Sequence, residues 1–221
     1  MADDFGYYRE NRFVTLESGM RLAVVAGLGM LLAGCASPQR MASLDSMGAM
    51  SYGKNSYGHE TLEGVRFSYP PAKVAGDALP LCVAKTVENR AVTLSDTTSR
   101  VGPYSGMVYN QRSAREAGGG QVISYVSEDK QTVVATGTTP FGERGAVVND
   151  EQSLTFTLTV KNSTSGATYE FAKLQKAYRD TGAMANEGYQ DVGAWSAARP
   201  DRAVSALKAL ADKVSGCLAS M

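Results

Sequence analysis

Three thiols and one imidazole are the side chains of this 221-residue sequence with the broadest reactive chemistry: Cys35, Cys82, Cys217 and His59. A thiol can attack a carbonyl, form a disulfide or bind a metal, and imidazole is the most common general base. With a single histidine, a zinc site built on several histidines is excluded, and a Ser-His-Asp triad would have to use His59. Cys82 and Cys217 form no Cys-x-x-Cys pair. The sequence therefore predicts no catalytic residues, no cofactor, no metal site and no enzyme.

Cys35 stands at the end of an apolar run, Leu22–Leu32, which carries no charge and follows Arg21. A helix needs about 20 apolar residues to cross a bilayer, so this run is too short to span one. Its length and its preceding cation are typical of a secretory signal peptide. The competing interpretation is a buried or transmembrane helix with an incidental cysteine, which the abrupt polar sequence Ser37–Arg40 disfavours.

The four residues that close this run, Leu32-Ala33-Gly34-Cys35, resemble the lipobox of bacterial lipoproteins. In that family the cysteine sulfur receives a diacylglyceryl group, signal peptidase II cuts before the cysteine, and the new amino group is acylated. The resemblance implies that Cys35 is lipidated and begins the mature chain, and that Leu32, Ala33 and Gly34 are recognised by the peptidase. It also implies membrane lipid as a partner, and Ala36, where an aspartate would retain the protein in the inner membrane, implies the periplasmic side of the outer membrane.

Residues 1–34 are accordingly predicted to be the signal peptide and are left out of the fold prediction. Residues 1–19 carry four acidic and two basic side chains, which is unusual at the start of a signal peptide. A translation start at Met20, directly before Arg21, is the simpler hypothesis.

Residues 35–61 are predicted to be the lipidated cysteine and a flexible tether, because glycine and small polar residues dominate and no apolar period is visible. Met41, Met47 and Met50 could form a soft-metal site with His59. Methionines scattered through such a composition more often bind nothing.

Residues 62–221 are predicted to fold as one α+β domain. The predicted elements are a strand at Val65–Tyr69, a helix over Ala72–Val87 interrupted by Pro80, strands over 121–126, 131–136, 153–160 and 167–171, weaker strands at Val92–Ser95 and Gly106–Tyr109, and a helix that begins at Pro200 or Asp201. Together they predict an antiparallel β-sheet of about 4–6 strands, covered on one face by an N-terminal-side helix and a C-terminal helix.

Cys82 and Cys217 both lie on the apolar stripe of a predicted helix. In an exported protein the two thiols are expected to form a disulfide. The alternative is two buried free thiols that behave as small apolar residues.

The sequence contains 22 basic and 22 acidic side chains, and this balance gives no reason to expect nucleic acid as a partner. The first functional hypothesis is an anchored interaction or structural module that contacts an envelope protein or the cell wall. The second is a small-ligand or glycan binder that uses Tyr178, Tyr189 and Trp195 or the hydroxyl row of residues 153, 155, 157 and 159. The third is an enzyme such as a hydrolase.

Overall fold

The structure is a computed structural model that describes residues 38–72, 76–142 and 150–221. The strands are β1 Ala49–Lys54, β2 Glu60–Tyr69, β3 Val92–Val101, β4 Val108–Ala117, β5 Ile123–Val126, β6 Thr132–Phe141, β7 Gln152–Ser163, β8 Gly166–Tyr178 and β9 Gln190–Gly193. The α-helices are α1 Ala78–Thr86 and α2 Pro200–Ala219, and short 3-10 helices cover Ala42–Ser46 and Ser196–Ala198.

Seven strands form one antiparallel sheet in the order β1-β2-β9-β8-β7-β6-β5, and β3 and β4 form a separate two-stranded sheet. The α+β prediction with an antiparallel sheet and two helices is confirmed. The strand number is wrong, because β1 lies in the predicted tether and β9 lies in a segment for which no strand was predicted. The weak strands predicted at 92–95 and 106–109 are parts of β3 and β4, which have ten residues each.

The centre of the sheet is the β7–β8 hairpin, which follows the predicted alternation. The apolar members of β7 are buried and the threonines between them are partly exposed. Phe171 of β8 is fully buried and meets the ring edges of Phe67 and Phe156 at centroid distances of 6.0 and 5.3 Å. This alternation gives the sheet one dry face, on which the core is built.

Both α-helices pack on each other and on β6. α2 begins at Pro200, as predicted, and the stripe it buries contains Ala203, Val204, Leu207, Leu210, Ala211, Val214 and Leu218.

α1 is shorter than predicted, since it begins at Ala78 rather than Ala72. The backbone of Ala72 is instead held by the Asn162 side chain, which accepts from its N–H at 3.1 Å and donates to its carbonyl at 2.9 Å. Pro80 lies in the first turn of this helix. Because the first four N–H groups of a helix have no intrahelical partner, proline costs little there and does not break the helix.

The tether predicted over residues 35–61 is wrong for the part that the structure describes. Leu44 in the first 3-10 helix is fully buried, and β1 pairs with β2 from Ala49–Arg66 to Lys54–Glu60. Met41, Met47 and Met50 pack against the core. Three methionines and one leucine supply enough apolar contact to order a segment whose average composition is polar.

Candidate functional site

The predicted lipidation site, Cys35 with Leu32, Ala33 and Gly34, lies outside the described residues. The described chain begins at Pro38 and joins the sheet almost at once. Arg40 forms a β-bridge with Trp195, and the N–H of Met41 donates to the carbonyl of Ala194 at 2.9 Å. The five residues from position 35 to position 40 can span about 17 Å at most.

Around this attachment point lies a group of aromatic and basic side chains that we call the N-terminal cluster: Arg40, Tyr52, Tyr57, His59 and Trp195. The Arg40 guanidinium lies 4.5 Å from the centre of the Tyr52 ring. The His59 and Trp195 rings meet edge to face at 5.7 Å, and Tyr57 follows at 6.5 Å from His59. Tyr57 is 82% exposed, so the outer side of the cluster is accessible.

Two partly solvent-exposed carboxylates, Asp45 and Glu60, hold Arg40 of the cluster in place. The Tyr52 hydroxyl donates to Asp45 at 2.7 Å, and Arg40 pairs with Asp45 at 3.7 Å and with Glu60 at 4.0 Å. Burial, followed by the hydrogen bond to the Asp45 carboxylate, raises the pKa of Tyr52 to about 12. The phenol is therefore held as a neutral hydrogen-bond donor to the Asp45 carboxylate.

The turn that presents Tyr57 is determined by Asn55. Its side-chain oxygen accepts from the N–H groups of Tyr57 and His59, each at 3.0 Å. Gly58 occupies the left-handed region with φ 78°. This asparagine–glycine pattern is the usual chemistry of a tight turn, and it fixes the aromatic residues in between.

The three aromatic residues of the predicted binding surface, Tyr178, Tyr189 and Trp195, each contact a different partner. Trp195 covers Gly193, where a Cβ would lie 2.5 Å from the indole. The Tyr189 hydroxyl shares a 3.0 Å hydrogen bond with Ser153. Tyr178 lies 5.8 Å from the Lys176 ammonium. Tyr189 and Trp195 therefore hold the connection between β8 and α2 against the domain.

The predicted hydroxyl row along β7 exists in part. Thr155, Thr157 and Thr159 lie partly exposed on the face away from the helices, whereas Ser153 is buried. Thr136 and Thr138 of β6 pair with Thr157 and Thr155 and widen the row. The result is a hydroxylated patch on a flat sheet face.

A cavity of about 590 Å³ lies where β2 and β8 separate. These strands pair directly from Gly64–Ala172 onwards, and before that point β9 lies between them, pairing through Leu62–Val192 and Gln175–Asp191. The charged groups that line the cavity are two lysines and two acids: Lys54, Lys173, Glu63 and Asp191. Sequence analysis missed this cavity because no strand was predicted where β9 lies.

A second polar group lies at the start of α2. The Lys176 ammonium donates to the carbonyl of Ala198 at 2.7 Å, and Asp150 forms ion pairs with Arg199 and, at 3.6 Å, with Arg202. Burial lowers the pKa of Lys176, and the nearby Asp150 carboxylate opposes that effect. These contacts join β8 to the helix start, so the partly buried lysine has a structural partner.

Among the described residues, no group of three or more His, Cys, Asp or Glu side chains is arranged to hold a metal. Within the same ranges, no helix combines the length and apolar character that a membrane span requires.

The comparisons with known proteins are sparse. No protein-family model matches the chain, and no curated protein matches it. The crystal structure of a DUF4468 family protein from Bacteroides ovatus ATCC 8483 is similar at 10% sequence identity and a TM-score of 0.42, with 72% of this chain and 86% of that chain covered. A likeness this distant leaves the function to be argued from the chain's own residues.

Proposed function

We propose that the protein is a bacterial envelope lipoprotein, acylated on Cys35 and held at the periplasmic side of the outer membrane, with a non-enzymatic interaction or structural role. The sequence Leu32-Ala33-Gly34-Cys35 behind its short apolar run carries this proposal. Two or more acyl chains on one residue give stable anchoring, whereas a single chain holds only marginally.

The disulfide between Cys82 and Cys217 supports export. It links α1 to α2 across a Cα–Cα distance of 5.7 Å, and the Cys82 side chain is fully buried. Disulfides persist in the periplasm and outside the cell and are rare in a reducing cytosol. The pairing predicted from the two helix stripes is therefore present, and the alternative of two free thiols is wrong.

The pairing of Arg40 with the sheet limits the distance between Cys35 and the folded domain. If Cys35 carries the lipid, the folded domain begins within about 17 Å of the headgroups instead of at the end of a long tether. Such a domain lies against the membrane surface. This position suits a protein that contacts lipid, or a partner in the same membrane, better than one that reaches across the periplasm.

A ligand-binding lipoprotein is the second candidate, and the cavity between β2 and β8 is the observation that favours it. The cavity is large enough for a sugar or another small polar molecule. Lys54 and Lys173 are balanced by Glu63 and Asp191, so a neutral polyhydroxyl ligand fits this lining better than an ion. Titration with cell-wall sugars tests this candidate, and a Lys173→Ala variant that binds as well as the wild type would exclude the cavity.

The anchor is tested by expressing the full chain in a bacterium with an outer membrane and measuring the mass of the mature N-terminus. We expect a chain that starts at Cys35 and carries a diacylglyceryl group and an amide-linked acyl chain. The Cys35→Ser variant should lose fatty-acid labelling and leave the membrane fraction or remain uncleaved. A mature chain that begins elsewhere, with an unmodified sulfur at position 35, would overturn the proposal.

Sorting between the membranes is tested separately by residue 36. The Ala36→Asp variant should move to the inner membrane, whereas the matched Ala36→Ser variant should stay with the wild type. If both variants and the wild type fractionate together, the assignment to the outer membrane is wrong while the acylation result still stands.

A further inference from the structure

The β3–β4 hairpin, which we call the arm, extends away from the rest of the described chain. Its strands pair from Val92–Ala117 to Val101–Val108, and no other named strand joins them. Ten residues per strand give a length of about 33 Å. An isolated two-stranded hairpin is marginally stable in water. The arm therefore needs further contacts, either with the domain at its base or with a partner at its far end.

The base of the arm is firmly held. The N–H of Ser95 donates to the carbonyl of Arg179 at 2.8 Å, and the N–H of Asn186 donates to Asp96 at 3.0 Å. The Arg115 guanidinium donates to the carbonyl of Asn186 at 2.8 Å, and Leu94 is almost completely buried. The direction of the arm is therefore fixed by the domain.

The far end of the arm, which we call the tip, is apolar and uncovered. Five large apolar or aromatic side chains there are more than half exposed, from 54% for Tyr109 upward: Val101, Tyr104, Met107, Val108 and Tyr109. Tyr104 at the turn is fully exposed. So dense a group of exposed apolar side chains marks an interaction surface.

The charge around the tip has one sign. Between Thr97 and Ala114 the chain carries Arg100 and Arg112 and no acidic residue. Arginines behind an apolar, tyrosine-rich tip match a bilayer with anionic lipids, where tyrosine occupies the interfacial layer and basic groups meet the phosphates.

The arm starts at the same end of the sheet as the chain that arrives from Cys35. β2 and β8 are antiparallel, so Glu60 at the start of β2 and Tyr178 at the end of β8 share one end. Arg40 reaches Glu60 there, and Ser95 in the arm bridges Asp180, two residues beyond β8. The exposed Tyr57 also belongs to this end.

We propose that the tip of the arm inserts into the interfacial layer of the membrane that carries the acylated chain, as a second contact beside the lipid on Cys35. This inference rests on the proposed function, because the anchor brings this end of the domain to a bilayer. An extended peptide or a second copy of the chain would add along the open backbone edge of β4. Such pairing would form main-chain hydrogen bonds along β4 and would leave the exposed apolar side chains of the turn without a partner.

The test places a fluorophore at the tip and a quencher in the lipid. The Tyr104→Trp variant of the full chain, purified from membranes, is reconstituted in phosphatidylethanolamine–phosphatidylglycerol vesicles whose acyl chains carry bromine near the headgroup. Tyr125→Trp is the matched control, since Tyr125 is 56% exposed and lies on β5 at the opposite end of the sheet. The wild type gives the contribution of Trp195.

We expect the brominated lipid to reduce the added fluorescence of Tyr104→Trp by about half, with little change for Tyr125→Trp. Changing Arg100 and Arg112 to Gln together should weaken the quenching in anionic vesicles. Equal quenching of the two tryptophan variants would overturn the inference. So would a blue shift of Tyr104→Trp without quenching, which would indicate burial against protein.

Mass spectrometry of the same samples measures the acylation of Cys35. The lipoprotein proposal and the insertion of the tip can therefore be refuted independently of each other. If Cys35 is acylated and the fluorescence of Tyr104→Trp is not quenched, membrane insertion of the tip is refuted and the lipoprotein proposal stands. If Cys35 is not acylated, the chain is added to preformed vesicles, and quenching of Tyr104→Trp there would support the arm alone.

Discussion

The two long hairpins of this protein, β3–β4 and β7–β8, have strands of comparable length and opposite surroundings. β7–β8 is paired on both outer edges and buried along one face. Among the described residues, no strand pairs with the outer edge of β4, and almost every residue of β4 is exposed. The alternation of apolar and hydroxyl side chains gives β7 a dry face, whereas β3 carries polar side chains on both faces.

This difference in burial and strand pairing indicates which contacts stabilise each hairpin. The central hairpin is stabilised by buried side chains, so its sequence is restricted by packing density. The arm is stabilised by its backbone ladder, by Leu94 at the base and by the turn, where the N–H of Gly102 donates to the carbonyl of Met107 at 2.9 Å. The apolar side chains at its tip are more than half exposed and do not belong to the buried core, which is why we propose a binding role for them.

The largest expected effect comes from removing a ring inside the central hairpin. Phe171→Ala should lower the free energy of unfolding by about 3–5 kcal/mol, because the cavity it leaves is lined by the rings of Phe67 and Phe156. Urea denaturation checks this. The matched variant Thr157→Ala, on the open face of the same hairpin, should change stability by less than about 1 kcal/mol. Equal losses would break the distinction between the two faces.

Removing the disulfide should have the next largest effect. Changing Cys82 and Cys217 together to Ala should cost about 2–4 kcal/mol, because the link encloses a loop of 135 residues in the unfolded chain. Denaturation of the wild type with and without reductant gives the same comparison without substitution. If reductant shifts the wild type and leaves the double variant unchanged, the effect belongs to this bond.

A smaller effect is expected at the edge of the core, where Tyr69 meets α2. The Tyr69 hydroxyl donates to Asp212 at 2.6 Å, and Lys208 donates to the same carboxylate at 3.0 Å. Because these groups are partly solvated, Tyr69→Phe should cost only about 0.5–1 kcal/mol. Asp212→Asn should cost a similar amount and add little to Tyr69→Phe in the double variant.

The pH dependence of that pair has a defined sign. The hydrogen bond from Tyr69 lowers the pKa of Asp212 in the folded chain, with Lys208 adding to the effect. The carboxylate therefore contributes stability above the pKa of the unfolded chain, about 4, and loses it as pH falls through the folded value. The stability difference between wild type and Tyr69→Phe should shrink below about pH 4. A difference that grows on acidification would contradict this arrangement.

The smallest expected change in stability is at the tip of the arm. Tyr104→Ala should leave the urea midpoint within about 0.5 kcal/mol of the wild type, because Tyr104 is fully exposed. A loss as large as that of Phe171→Ala would show that the tip packs against the protein. It would also remove the contrast on which the binding role of the arm depends.

Sequence alone predicted the elements in which apolar residues recur at a strict period. Leu154 and Phe156 of β7 and the α2 stripe around Leu207 are buried as expected, since one dry face forces a period of two in a strand and about 3.6 in a helix. The disulfide was predicted from the apolar stripes that carry Cys82 and Cys217 together with the expected export, and the two helices do pack on each other.

The parts that were missed have no such period. β1 was assigned to a tether because glycine, serine and methionine dominate there, and it is ordered by its pairing with β2 and by the packing of Met50 against the core. The length of the arm was missed because both of its faces are wet. The cavity between β2 and β8 depends on a tertiary arrangement, including Lys173 in the left-handed region with φ 54°, that no local pattern encodes.

The position of the Cys82–Cys217 bond gives the protein an uneven resistance to proteolysis. A single cut anywhere between these cysteines, the arm included, leaves two fragments that stay covalently joined until a reductant is added. β1 and β2 precede Cys82, together with the segment that leads back to Cys35. Cleavage on that side leaves only non-covalent pairing between the fragments. If Cys35 is acylated as proposed, a protease that cuts there would therefore separate the lipid from the rest of the domain.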